Sequence, residues 1–154
     1  MEIQFEDRHL LYDSLVKELL LSKQGETYSQ KAMGNYSITF FAKEFLIMYS
    51  CDRSQLTVNI ASNYAPDDWY YSLILKNFIM GSDKLNIADP NDFSLKSVLS
   101  ANNFIKENFD RISELLSQKN YKKTRSQIIA KLKEESKTNS TAGHAWLTLT
   151  WKLI

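Results

Sequence analysis

Three short stretches of alternating residues in the first half of the chain constrain the fold most strongly. Apolar side chains recur at every second position in 36–41, 45–50 and 56–60, which is the period of a β-strand with one buried face. The connections at 42–44 and 52–54 are short, and short connections join antiparallel neighbours. We therefore expect an antiparallel meander. The second stretch is apolar on both faces, which predicts a central or covered strand.

Helices are predicted before and after this meander in the sequence. Leucines recur at helical spacing in 7–22, and the polar stretch 24–34 has no periodicity. Residues 66–81 begin with proline and two aspartates and end with glycine, which favours a helix, although their aromatic content leaves a strand as the alternative. Residues 101–118 and 122–136 show the apolar stripes of two further helices.

The last residues predict one more strand. Positions 145–153 alternate strictly between apolar and polar or aromatic residues, so this segment should pair with an edge of the meander or with a second copy of the chain. A length of 154 residues suits one domain, here 1–154. The predicted fold class is α+β, with an antiparallel sheet of three to four strands (meander plus C-terminal strand) and helices packed on one face.

Composition excludes several classes of protein. The net charge is +1, so nucleic acid is an unfavoured partner, because polyanion binding needs a basic excess. Residues 101–154 nevertheless hold ten basic and five acidic residues. No apolar run has the length of a membrane span, and the first residues lack a signal peptide's pattern. We expect a cytoplasmic protein that is not bound to a membrane.

The chain carries no motif of known catalytic chemistry. It has two histidines, four glycines and one cysteine, and it lacks zinc-ligand spacings, phosphate-binding loops and a nucleophile elbow. Cys51 would need Arg53 and His144 beside it to act as a nucleophile, and an inert, half-buried cysteine is the favoured interpretation. We expect no enzyme activity, no cofactor and no metal.

One resemblance rests on residues at strand starts, at turns and at the entry to the next helix. They are Gly34-Asn35, Phe45-x-Ile47-x-Tyr49, Asp52-Arg53, Gln55, Val58-x-Ile60, Pro66-Asp-Asp-Trp69-Tyr70, Leu73 and Leu75. In this arrangement about a third of the chain resembles small, poorly characterised bacterial immunity-type proteins of polymorphic toxin and toxin–antitoxin systems. The resemblance implies a small α+β protein that neutralises a partner toxin by direct protein–protein contact. It implies no catalytic residue.

The first hypothesis is therefore a binding protein whose partner is a protein. The candidate contact residues are charged turn and helix residues and large aromatics: Asp52, Arg53, Trp69, Tyr70, Trp146, Lys122, Lys123 and Arg125. Core packing competes with contact for each aromatic, and turn formation or a solvated helix surface competes for each charge. Two alternatives stay open. One is a small-molecule or peptide binder with a pocket between sheet and helices, and the other is a homo-oligomeric structural protein, such as a homodimer joined through the last strand.

Overall fold

The computed structural model describes residues 3–86 and 92–138. Over these residues the fold is α+β, with a 3₁₀ helix and five α-helices around one antiparallel sheet. The strands are β1 (Ser22–Ser29), β2 (Asn35–Phe41), β3 (Phe45–Asp52), β4 (Gln55–Ser62) and β5 (Trp69–Tyr71). The helices are the 3₁₀ helix (Phe5–Leu11), α1 (Asp13–Leu19), α2 (Ser72–Ile79), α3 (Leu95–Glu107), α4 (Phe109–Leu115) and α5 (Tyr121–Thr138).

The sheet is a meander in which each strand pairs with the next, in the order β1-β2-β3-β4-β5. The α+β class and the antiparallel meander are confirmed. The described residues form five strands, however, rather than three to four. The two strands that were not expected, β1 and β5, lie at the edges, and β3 is central, as its apolar faces predict. The predicted strand 145–153 lies outside the described residues.

The elements near the N-terminus differ from the predicted ones in two places, the first helix and the strand β1 after it. The helix predicted over 7–22 is two shorter helices that meet at Tyr12, whose ring packs against Phe40 at 4.8 Å. The second of them ends at Leu19, and the next residue, Leu20, has a left-handed φ of 52°. The chain then enters β1, whose side chains are almost all exposed. Because β1 is held by its ladder with β2 and not by apolar burial, it gives no alternating pattern to detect.

The segment predicted as a helix over 66–81 begins as a strand. Trp69, Tyr70 and Tyr71 pair with residues 59–61 of β4, so the proline and the aspartates before them lie in a turn and not in a first helical turn. The helix starts only at Ser72, and it ends where glycine was expected to end it. Aromatic residues pack well in a half-buried strand, and here that preference prevailed over the helix-start signal.

The two C-terminal helical predictions had different outcomes. Residues 101–118 are not one helix, because α3 begins earlier, after the Ser94–Ser97 capping box, and breaks at Asn108 before α4 starts. The Asn108 side-chain amide donates to the Phe104 carbonyl at 3.0 Å, which supports the break. The helix predicted over 122–136 is confirmed by α5.

All the described helices lie on one face of the sheet. The buried side chains of that face include Tyr49, whose hydroxyl donates to Asn102 of α3, and Phe45, whose ring lies 5.5 Å from that of Phe109 of α4. The opposite face, here called the outer face, carries the alternate residues. Leu46 and Ala61 point to it and are nevertheless buried, so β3 and β4 are closely packed on both sides, as the apolar pattern of 45–50 indicates.

Candidate interaction surfaces

The β3–β4 turn carries two of the predicted contact residues, Asp52 and Arg53. The Asn35 side chain holds the turn, because its amide donates to Asp52 Oδ1 at 2.8 Å and its oxygen accepts from the Arg53 backbone N–H at 2.9 Å. Arg53 and Ser54 both have left-handed φ values, 51° and 66°, which is the backbone of a tight hairpin turn. The Arg53 side chain is 79% exposed. Asp52 therefore has a structural role, while the Arg53 guanidinium projects into solvent.

Arg53 and Trp69 do not belong to one site. Arg53 precedes β4, whereas Trp69 pairs with Ala61 near the far end of that strand. Six to eight residues of extended chain separate these levels, a distance of about 20–25 Å at roughly 3.3 Å per residue. A single small contact cannot include both side chains, so they are parts of two different surfaces.

Trp69 and its neighbour Tyr70 point to opposite faces of the sheet. Trp69 is half-buried on the outer face, while Tyr70 is 3% exposed on the helix-covered face. Burial raises the pKa of the Tyr70 hydroxyl, the nearby Asp68 carboxylate raises it further, and the Arg125 guanidinium opposes this rise. Tyr70 is a core residue in this structure, where its side chain is not accessible to a partner. Trp146, the other aromatic candidate, lies outside the described residues.

The predicted basic face near the start of α5 divides into a structural and an exposed part. Arg125 Nε lies 3.2 Å from Asp68 Oδ2, and both side chains are about one-third exposed, so this pair ties α5 to the turn before β5. Lys122 and Lys123 are exposed, and so is Lys119 in the preceding turn. None of these three lysines forms an ion pair in the part of the chain that the structure describes.

Two tyrosines adjoin these lysines. The rings of Tyr64 and Tyr121 stack with centroids 6.1 Å apart, and Lys122 Nζ lies 5.9 Å from the Tyr121 centroid. Tyr64 is 42% exposed, and its hydroxyl donates to Glu44 at 2.9 Å. We call the set Tyr64, Lys119, Tyr121, Lys122 and Lys123 the basic–aromatic surface.

Sequence reasoning identified only two members of this surface. Lys119 and Tyr64 lie in turns, where no periodicity reveals them, and Tyr64 is brought to α5 by tertiary packing. The single aromatic residue within 119–123, Tyr121, was the available local signal, because it lies between lysines in the sequence.

The outer face of the sheet is polar at one end and apolar at the other. At the polar end, side-chain hydroxyls of neighbouring strands bond each other, Thr27 to Ser37 at 2.6 Å and Ser50 to Thr57 at 2.5 Å. At the apolar end, Phe41 is 42% exposed. These four hydroxyls satisfy one another, so they offer no unmet polar group that would indicate a ligand.

A cleft lies where β5 stops short beside β4. Here β5 covers only residues 59–61 of the longer strand, and the Leu56 N–H bonds instead to the Phe93 carbonyl at 3.0 Å. The starts of α2 and α3 complete the walls, and the cleft has a volume of about 60 Å³. We call it the edge cleft. It is a small pocket between sheet and helices, and the small-molecule alternative stays a prediction.

The described residues contain no standard arrangement of catalytic or metal-binding side chains. Within 3–86 and 92–138, no group of three or more His, Cys, Asp or Glu side chains could hold a metal ion. Cys51 is 7% exposed and faces the core of the sheet, and the histidine proposed as its base, His144, is not among the described residues. No helix in the described ranges is long and apolar enough to cross a bilayer.

Comparison with known proteins adds no relative to this picture. No protein-family model matches the chain, and no curated protein or solved structure matches it either. Functional inference therefore rests on the surfaces described above.

Proposed function

We propose that the chain is a small binding protein of the immunity type, which neutralises a partner toxin by direct protein–protein contact. The contact is made by the basic–aromatic surface, and the matching surface of the partner is acidic. The observation that carries the proposal is the group of exposed lysines at the start of α5, at positions 119, 122 and 123, which have no ion-pair partner among the described residues.

Helix stability alone does not account for these lysines. The N-terminal end of a helix carries partial positive charge, so each cation there is unfavourable by roughly 0.3–1 kcal/mol. The first turn of α5 contains no acidic residue to compensate. A local arrangement that opposes stability without a visible structural gain is typical of a functional surface. An acidic partner would turn the same charges into favourable interactions and would also speed association.

The tyrosine pair gives this surface its contact area. Exposed tyrosines that are held in place lose little conformational entropy on binding, and tyrosine is enriched among residues that dominate interface energies. Tyr64 is held by Glu44 and by the ring of Tyr121. The lysines around the pair would form the polar rim that interfaces usually have.

The partner is a protein rather than a nucleic acid. A general nucleic-acid binder needs a strong basic excess, whereas this chain has a net charge of +1. In addition, one cation of its basic face, Arg125, already forms an ion pair with Asp68. The homo-oligomer alternative depends on residues 143–154, which lie outside the described residues, and it stays a prediction.

The test pairs this chain with the products of its neighbouring genes. Each product is produced in a host cell with and without the chain, while growth and copurification are recorded. We expect one product to arrest growth alone, and the chain to restore growth and form a stable complex with it. A triple variant, Lys119→Glu, Lys122→Glu and Lys123→Glu, should weaken that complex by about tenfold to a hundredfold, because each rim charge contributes up to about 1 kcal/mol.

The matched control makes the same change of charge elsewhere. Lys17→Glu, Lys31→Glu and Lys84→Glu reverse three exposed lysines that lie away from the basic–aromatic surface, and this variant should bind within about threefold of the original. Equal weakening by both variants would reduce the effect to net charge. Absence of a complex with every neighbouring product would refute the proposed function, and capture of DNA or RNA in its place would point to nucleic acid.

A further inference from the structure

We infer that two copies of this chain pair through the outer face of the sheet. The resulting dimer is symmetric, and each outer face is covered by that of the other copy. This contact is separate from the proposed toxin contact, because no residue of the basic–aromatic surface belongs to a strand of the sheet. It also differs from the homodimer that the sequence predicts through its last strand, since it uses none of those residues.

The strand register places one apolar side chain after another across the outer face. Phe41 pairs with Leu46, Leu46 with Ala61, and Ala61 with Trp69, so these residues of β2, β3, β4 and β5 form one row. Leu46 and Ala61 are buried, whereas Phe41 is 42% exposed and Trp69 is half-buried. Aromatic side chains are enriched in the buried centres of protein interfaces. This apolar row is therefore the expected centre of a contact.

The next two rows of the outer face carry no charge. Thr39, Met48 and Asn59 form the middle row, and the hydroxyl residues described above form the row after it. None of these positions holds an ionisable side chain, although charged residues make up 24% of the chain. Depletion of charge distinguishes the centre of an interface from ordinary protein surface. In a symmetric dimer it also means that no like charges oppose one another across these rows.

The polar groups of this face tolerate the removal of water. Thr27 bonds Ser37, Ser50 bonds Thr57, and the Asn59 side-chain amide donates to the Thr57 hydroxyl at 3.3 Å. Burial of a polar group is unfavourable mainly when the group is left without a hydrogen-bond partner. Because these hydroxyls already bond one another, a second copy can cover them without supplying matched donors or acceptors.

The size of the face suits a second copy of the chain. The four long strands have seven or eight residues each, which gives a face of roughly 19 Å by 25 Å at about 4.8 Å between strands and about 3.3 Å per residue. Two such faces would bury about 1,000 Å² in total, which is the lower limit for a specific interface. A single extended segment is only about 5 Å wide, so residues 139–154 would cover about a quarter of the face.

The apolar row also sets the orientation of the two copies. A two-fold axis that runs parallel to the strands, between β3 and β4, brings the apolar row of one copy onto that of the other. Phe41 then lies opposite Trp69 of the second copy, and Leu46 lies opposite its Ala61. An axis across the strands, through the middle of the face, would instead place the apolar row on the hydroxyls. The first arrangement keeps the strands of the two sheets aligned, as in most packed sheets.

Sedimentation equilibrium of the full chain measures the pairing. We expect a dimer with a dissociation constant of about 1–100 µM, because interfaces near 1,000 Å² are generally weak. Phe41→Glu should weaken the dimer at least about tenfold, because it places a carboxylate in the apolar row of each copy. The matched control is Leu99→Glu, which changes a leucine of α3 that is 45% exposed, and its dissociation constant should stay within about threefold of the original.

NMR spectra of the unchanged chain give a test that does not depend on how a variant folds. In a mixture of isotope-labelled and unlabelled copies, filtered NOE spectra report only contacts between copies. We expect such contacts between the ring of Phe41 and the ring of Trp69. Contacts of this kind would also distinguish the outer face from every other surface through which two copies might pair.

Three results would overturn the inference. One is a chain that stays monomeric up to about 1 mM, tenfold above the weakest expected dissociation constant. The second is a dimer that Phe41→Glu does not weaken. The third is a set of between-copy NOE contacts that leaves out the outer face and involves residues 143–154 or the basic–aromatic surface instead. None of these measurements needs a toxin, so their outcome is independent of the growth assay.

Discussion

Removal of one hydroxyl tests the buried hydrogen-bond network that joins the sheet to the helices. The Tyr49 hydroxyl donates to Asn102 Oδ1 at 2.7 Å, and the Asn102 side-chain amide donates to the Leu11 carbonyl at 2.7 Å. These two bonds link β3, α3 and the end of the 3₁₀ helix. Tyr49 is 0% exposed and Asn102 is 9% exposed, so water does not readily replace a lost bond.

Tyr49→Phe should lower the free energy of unfolding by about 2–3 kcal/mol. The lost bond accounts for about 1 kcal/mol, and the buried Asn102 oxygen, left without its donor, accounts for about 1–2 kcal/mol more. For a domain of this size that loss corresponds to a fall in melting temperature of roughly 4–12 °C. Asn102→Ala should be at least as severe, because it also leaves the Leu11 carbonyl without its donor.

Urea unfolding of the two single variants and the double variant measures the coupling. We expect the double variant to lose about 1 kcal/mol less than the sum of the single losses, because both changes remove the same bond. Tyr28→Phe is the control: Tyr28 is 46% exposed, so its change should stay within about 0.5 kcal/mol. A loss below about 0.5 kcal/mol for Tyr49→Phe, or additive losses in the double variant, would show that the network does not stabilise the fold as argued.

Three further predictions concern pH and the backbone. The free energy of unfolding should fall as pH rises above about 10, which unfolding experiments at pH 8 to 11 can measure. Burial raises the folded-state pKa of three tyrosines, Tyr36, Tyr49 and Tyr70. Above pH 10 their hydroxyls therefore lose protons more readily in the unfolded chain, and this favours unfolding. Glu26→Gln should cost about 1 kcal/mol at pH 7 by removing the two-bond contact with Arg8. Arg8 lowers the pKa of Glu26. The stability difference between Glu26→Gln and the original chain should therefore vanish once the pH falls below that lowered pKa. Met33→Gly should raise the free energy of unfolding by about 0.5–1 kcal/mol, because the exposed residue Met33 has a left-handed φ of 59°.

The parts of the fold that sequence reasoning predicted are those where burial alternates. β2, β3 and β4 bury every second residue against the helices, so their period is visible in the chain. β1 buries almost nothing, and β5 is three residues long, which is too short for a period. The wrong helix start at 66–81 has a related cause: the pairing of β5 with β4 is a tertiary interaction, and local capping signals do not report it.

The sequence predicted candidate site residues only where their properties depend on residues nearby in the chain. The charges of Lys122 and Lys123 are local, and so is the turn at Asp52 and Arg53, which the sequence pattern placed correctly. Burial is not local, and the sequence pattern therefore did not predict that the Tyr70 side chain is buried. The edge cleft combines a strand edge with the starts of two helices that are distant in sequence, and no pattern of residue types along the chain brings these together.

One structural feature, the shortness of β5, accounts for the position of the cleft. A long strand beside β4 would have paired its whole edge, because an unpaired edge leaves backbone groups exposed. Instead the chain turns into α2 after Tyr71, and the Phe93 carbonyl takes up the Leu56 N–H. This hydrogen bond satisfies the edge of β4 at one point only. Between that point and the start of α2 the space remains open and forms the edge cleft. The same turn that ends the sheet therefore creates the edge cleft.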